Sequence, residues 1–265
     1  MRRIEEPMKE FEPDCCAKGA PKGGQRCVLD FKRWADSLGI PLKSAERLSD
    51  CWRPGRYIPG NVIFYQGHQP LGIYFVRTGS VKLVRAEGTG RQRIIRVIQA
   101  PSVLGERSLI ADLPYAAAGI ALEDSCVCFI ETARFQKLWD ADPALSRFFA
   151  RLLASKLGDA DEAGTDLALR TIRERVAKFI ITLEGASKAP GAAVSLGMSR
   201  QELAEFMGTS PEAICRTFSE LAAKGLISTQ GRLVRILDRA RLHAAAGLTF
   251  INRSAAVCHR RLPGA

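Results

Sequence analysis

The stretch from Ser199 to Gly225 constrains the fold more than any other part of this 265-residue chain. Ser199-Arg200-Gln201-Glu202 is a capping box, in which a serine hydroxyl and a glutamate carboxylate satisfy reciprocal backbone amides at a helix start. Leu203, Phe206 and Met207 give that helix an apolar stripe, and Gly208 ends it. Thr209-Ser210-Pro211-Glu212 opens a second helix, with a hydroxyl cap and a proline at the first helical position, where its missing N–H costs nothing. Ile214, Phe218 and Leu221 are expected to face inward, with Gly225 closing the helix. Two short helices across a tight glycine turn make a helix-turn-helix. Leu226-Ile227-Ser228 and Leu233-Val234-Arg235-Ile236-Leu237, joined across Gly231-Arg232, are expected to add a β-hairpin wing.

On the second helix Glu212, Cys215, Arg216 and Ser219 fall at i, i+3, i+4 and i+7, opposite the apolar stripe. An arginine so placed can chelate guanine O6 and N7, and a glutamate can accept from cytosine N4. Thr217 and Lys224 are expected at phosphates, with Ser199 and Arg200 counted among the DNA contacts. A plainer reading makes Glu212 a helix cap and Arg216 a solvated charge. Charge favours a polyanion partner: of the net +11, residues 170–265 contribute fifteen Lys or Arg against seven Asp or Glu.

Upstream, short β runs are punctuated by turn residues. Val62-Ile63-Phe64-Tyr65, Gly72 to Val76, Ser80 to Val84, Arg93 to Ile98 and Ser125 to Ile130 read as strands, separated by Gly67, Thr78-Gly79 and Glu87-Gly88-Thr89-Gly90. This spacing predicts a small antiparallel barrel or roll. The period then becomes helical from about Pro143 toward Ala168. Leu145, Phe148, Phe149, Leu152, Leu153 and Leu157 recur by threes and fours, and Ala160 continues the face. A dimerisation helix is the expected role, with a connector between domains as the alternative. Gly158 and Gly164 weaken its second half, and Asp159, Asp161, Glu162 and Asp166 are expected to repel their own copies across a parallel seam. A short amphipathic helix is expected from Phe31 to Leu48, interrupted at Pro41.

The fold class expected is therefore α+β: an N-terminal β-roll, a long dimerisation helix and a C-terminal winged helix-turn-helix. The expected divisions are 1–50 (a cysteine-containing segment and short helix), 51–140 (roll), 141–170 (helix), 171–250 (winged helix) and 251–265 (tail). No run approaches the roughly 18 apolar residues of a membrane span, and no signal-peptide core follows Met1, so a cytosolic location without membrane attachment is expected. An enzyme is not expected, because there is no phosphate-cradling glycine loop, nucleophile elbow or His-Glu metalloprotease run.

The order of these parts resembles the CRP/FNR superfamily of bacterial transcription regulators, from Trp52 to Arg241. Gly60-Asn61-Val62-Ile63-Phe64 with Gly67, and Ile73 to Val81, resemble the opening of its cyclic-nucleotide-binding-like jelly roll. Gly105-Glu106 resembles its effector loop, and Arg173 to Phe179 its junction into the DNA-binding domain. Ser199 to Leu226 resembles its helix-turn-helix. The resemblance implies a homodimer on a palindromic duplex, and recruitment of or interference with RNA polymerase. In the FNR-type branch the recognition helix carries Glu, then Ser-Arg; here Glu212 and Arg216 match, and Cys215 stands at the serine position.

The resemblance also bears on the signal. Cyclic-nucleotide members pair the Gly105-Glu106 motif with an Arg-Ser or Arg-Thr, whereas Leu113-Pro114-Tyr115-Ala116-Ala117-Ala118 offers no such pair for an anion. FNR-type members hold a [4Fe-4S] cluster on N-terminal cysteines and one in the roll, which implies Cys15, Cys16, Cys27 and Cys128 here, with Cys126 or Cys51 as substitutes. The adjacent Cys15-Cys16 pair departs from the branch's compact spacing. Eight cysteines in a cytosolic chain also suit thiol oxidation, another metal or plain burial. Another small effector, such as a haem-bound gas, and a ligand-free roll without cofactor also remain open.

Overall fold

The computed structural model describes residues 34–49, 53–88, 92–186 and 191–248. The chain divides into two compact units between Asp161 and Glu162. Cys15, Cys16, Cys27, Cys51 and Cys258 lie outside the described residues, so the expectations placed on them have no structural account.

The first unit begins with a helical turn at 34–37 and helix α1 (Leu42–Ser49), on either side of Pro41. Eight strands follow: β1 (Arg53–Tyr57), β2 (Val62–Phe64), β3 (Gly72–Thr78), β4 (Ser80–Ala86), β5 (Gln92–Gln99), β6 (Ser102–Leu104), β7 (Ala118–Ala121) and β8 (Ser125–Glu131). They form two antiparallel sheets, ordered β1-β8-β3-β6 and β2-β7-β4-β5. A short helix α2 (Glu106–Ile110) sits between β6 and β7, and α3 (Thr132–Ala141) follows β8. The roll predicted from turn spacing is thus present, with β1, β6 and β7 added to the strands legible in the sequence.

The sheet containing β3 and β8 is covered on both faces, which explains its runs of apolar residues in place of alternation. One face shares a core with the other sheet, through Phe64, Tyr74, Val76, Val81, Leu104, Tyr115 and Val127. The opposite face, carrying Ile73, Phe75, Cys126, Cys128 and Ile130, packs beneath Trp34, Leu48, Phe135, Leu145 and Phe149. Trp34 Nε1 donates to the Val76 carbonyl at 3.1 Å, so its polar atom is satisfied while its ring is buried.

Helix α4 (Pro143–Leu169) is continuous through Gly158 and Gly164. Asp142 caps it, accepting from Ala144 N at 3.0 Å and Leu145 N at 3.3 Å, and Ser44 Oγ donates to the same carboxylate at 2.6 Å. The hydroxyl bond from Ser44 and these amide bonds hold the Asp142 carboxyl below its ordinary range.

In the second unit α5 (Ile172–Ala186) opens with a reciprocal box between Thr171 and Glu174. It is followed by β9 (Val194–Ser195), α6 (Arg200–Met207), α7 (Pro211–Ala223), β10 (Ile227–Gln230), β11 (Leu233–Ile236) and α8 (Arg239–Ala245). The wing is a three-stranded sheet, β10-β11-β9, turned at Gly231 with φ 59°. Glu184 is buried and bonded to Arg239, which ties α5 to α8.

Three expectations are corrected. Leu145 and Phe149 are 1% and 0% exposed inside the first unit's own core, so neither is available to a dimer seam. Leu152 also packs against that core, partly buried, whereas Leu157 is 64% exposed and Ala160 is exposed. Two of the four acids expected to be a bare cluster on α4, Glu162 and Asp166, are paired with cations of the same chain. Lys178 Nζ lies 2.6 Å from both Glu162 Oε1 and Asp166 Oδ2, and Arg170 Nε lies 2.7 Å from Asp166 Oδ1. Finally, Thr217 is buried, and its hydroxyl donates to the Ala213 carbonyl at 2.8 Å, so it cannot grip a phosphate as expected.

Candidate nucleic-acid interface

The capping box at Ser199 forms as the sequence requires: Glu202 N donates to Ser199 Oγ at 3.2 Å, and Ser199 N donates to Glu202 Oε2 at 2.8 Å. The Ser199 hydroxyl is therefore committed to its own helix. Helix α6 ends at Gly208, whose φ of 63° lies in the left-handed region that glycine enters without penalty. Ser210 then caps α7, accepting from Ala213 N at 3.2 Å, and Pro211 takes the first turn. One inter-helix turn thus fixes where α7 points.

Ile214, Thr217, Phe218 and Leu221 are buried, which rotates Glu212, Cys215, Arg216 and Ser219 outward together. Glu212 bonds to its own backbone amide and to the Ser210 hydroxyl, and both hold its carboxyl below the ordinary value, so it is an anion at neutral pH. Arg216 is exposed. The stripe read from the sequence is therefore one polar ridge, with an acceptor and a donor fork one helical turn apart.

Arg200, counted among the expected DNA contacts, is turned instead against the neighbouring helix. Its guanidinium carbon lies 3.7 Å from the Phe218 ring centroid, joining α6 to α7 by a cation–π contact. Burial lowers the guanidinium's pKa, and Nη1 is buried without a hydrogen-bond acceptor. The sequence carried no signal for this pairing, because it depends on the angle between two helices. Lys224, Arg232 and Arg235 are exposed at the end of α7 and on the wing. The two wing arginines were missed as candidates, although for Arg232 a basic residue in a two-residue hairpin turn is a legible cue.

In the roll, the glutamate of the Gly105-Glu106 motif is paired within the chain. Glu106 Oε1 lies 2.7 Å from Lys156 Nζ, which also donates to the Val103 carbonyl at 2.6 Å. Glu106 Oε2 is buried without a partner. Arg96 Nη2 donates to the Lys156 carbonyl at 3.2 Å, a second tie between sheet and helix. Tyr115 fills the neighbouring space, its ring 4.4 Å from that of Phe64 and its hydroxyl donating to the Gly72 carbonyl at 3.1 Å. Burial raises its pKa and that of Tyr74.

Of the cluster ligands expected, only Cys128 is described. It is fully buried on β8, facing the same side as Cys126. Among the described residues no group of three or more His, Cys, Asp or Glu side chains is placed to hold a metal ion, and no helix is long and apolar enough to cross a membrane.

A jelly-roll unit followed by a winged helix-turn-helix defines a DNA-binding transcription regulator. The cyclic nucleotide-binding domain family matches residues 54–142, and the Crp-like helix-turn-helix domain family matches residues 174–245. The chain is 30% identical over 214 residues to the transcriptional activator protein Anr of Pseudomonas aeruginosa, covering 79% of this chain and 87% of that protein. It is 28% identical over 190 residues to the cyclic AMP receptor protein of Thermus thermophilus, covering 72% and 86%. The solved structure of FixK2 from Bradyrhizobium japonicum shares the fold with a TM-score of 0.67, at 24% identity, over 76% of this chain and 98% of that one. The chain belongs to the CRP/FNR family.

Proposed function

We propose that the protein acts as a homodimer on a two-fold symmetric duplex, with one α7 in each of two successive major grooves. The single observation that carries this reading is the outward ridge of Glu212, Cys215, Arg216 and Ser219 above a buried apolar edge. Arg216 supplies the fork for guanine and Glu212 the acceptor for cytosine. Lys224, Arg232 and Arg235 bind phosphate and set position without reading sequence. Leu153, Leu157 and Ala160, the expected seam residues outside the first unit's buried core, join the two copies. On DNA the dimer recruits or obstructs RNA polymerase.

The test is duplex selection followed by fluorescence anisotropy. Arg216→Ala is expected to weaken the selected site by about 1–3 kcal/mol and to relax preference at one base pair. Lys224→Ala is expected to weaken all duplexes alike and reduce the salt slope by about 1. An Arg216→Ala protein with unchanged base preference removes Arg216 as a reader.

We infer further that the signal is oxygen or redox state, sensed by a [4Fe-4S] cluster on Cys15, Cys16, Cys27 and Cys128. Support comes from chain path: Trp34, seven positions after Cys27, packs edge-on against Phe75, the cross-strand partner of Cys128. Seven residues span at most about 25 Å, a reach that permits Cys27 and Cys128 to share one centre. The cluster would supply an oxygen-labile centre, and this chain would supply thiolates and a dry wall around Cys128. A cyclic nucleotide has little support as the signal, because Glu106 is paired with Lys156 and 113–118 brings no cation. Protein purified without oxygen is expected to be brown, to contain iron and sulfide, and to bleach in air, with Cys128→Ser losing the colour. Colourless, iron-free wild type would leave thiol oxidation or a ligand-free roll.

A further inference from the structure

The first three turns of α4 border a groove that DNA reading and cysteine chemistry leave unused. Arg147, Phe148, Arg151 and Leu152 form one wall and Leu38 and Pro41 the other, around a volume of about 510 Å³. That size lies within the range of small-molecule sites, about 300–1,000 Å³. All of these residues belong to the first unit, so the groove is complete within one chain.

Its charge is unusual for this helix. Lys156 and Arg170, the cations further along α4 and just past its end, each meet a carboxylate at 2.7 Å. Arg147 and Arg151 have no carboxylate partner among the described residues, although they sit one turn apart on the same face. Like charges at that spacing repel, so an anion between them relieves the repulsion as well as pairing with both. Phe148 and Leu152 are partly buried and, with Leu38, form the edge of the roll's apolar core. A cationic rim above a hydrocarbon floor suits a molecule with one charged end and an apolar body.

We propose that this groove binds an amphipathic organic carboxylate. The carboxylate is gripped by the Arg147 and Arg151 guanidiniums, whose fork geometry matches its two oxygens. The hydrocarbon body lies along Leu38, Pro41, Phe148 and Leu152, which removes apolar surface of both partners from water. Such a ligand bridges the segment around Pro41 to the start of the long helix, and nothing about it depends on DNA.

The experiment is calorimetric titration of the full-length protein with decanoate below its micelle concentration. One saturable site per chain is expected. Acetate, which lacks the tail, and decanol, which lacks the charge, should each bind roughly tenfold or more weakly. The exposed pair changed together, Arg147→Gln with Arg151→Gln, should weaken decanoate by roughly tenfold or more while circular dichroism and Tm stay unchanged. No saturation, equal uptake of decanol, or full decanoate affinity in the double variant would each overturn the proposal. So would a double variant whose self-association is lost while decanoate binding persists, because a second copy would then be the occupant.

Discussion

Changing Lys156 to alanine is expected to cost the first unit about 3–5 kcal/mol, the range seen when one member of a buried ion pair is removed. The reason is geometric. Glu106 is 6% exposed and one of its oxygens has no partner, so removing the ammonium 2.7 Å away strips this buried carboxyl of its counter-charge. Urea unfolding followed by tryptophan emission measures the loss. Replacing both residues, Lys156→Met with Glu106→Leu, should cost less than the single change, because no charge is then stranded. A single-variant loss within about 1 kcal/mol would mean that the pair behaves like a solvated surface contact.

Phe149→Ala should have a comparable effect for a different reason. The ring is fully buried against Phe135 and Trp139, with centroids 5.1 and 5.8 Å away, so its removal opens a cavity inside one chain. About 3–5 kcal/mol is expected, independent of protein concentration. Leu157→Ala, at a position 64% exposed, should leave that transition alone and weaken self-association in sedimentation experiments. If Phe149→Ala instead dissociated a dimer without lowering the unfolding free energy, the packing described for the start of α4 would be wrong.

These two residues also mark where sequence reading stopped. A helical period identifies one apolar face, and Leu145, Phe149, Leu152 and Leu157 all satisfy it. It does not say whether the cover is the same chain or another. Here the early turns are claimed by the roll's own core and Leu157 is left bare. The helix-turn-helix was far more legible, because caps, proline and glycine act within four residues of where they stand. Thr217 was the local error. It is five positions after Glu212 and next to Phe218, which places it toward the apolar edge. Lys178 with Asp166, Lys156 with Glu106 and Arg200 with Phe218 join separate elements, and such partners have no fixed spacing to read.

Asp142 gives the long helix a sensitivity to acid that neutral conditions conceal. Its carboxyl titrates below the ordinary value of about 3.9, so the capping contribution is complete above that value and fades as pH falls through the depressed one. Between pH 5 and 8 it stays ionised, and the start of the helix is indifferent to proton concentration. Strong acid would silence the carboxylate, releasing Ser44 and the first amides of α4 in one event.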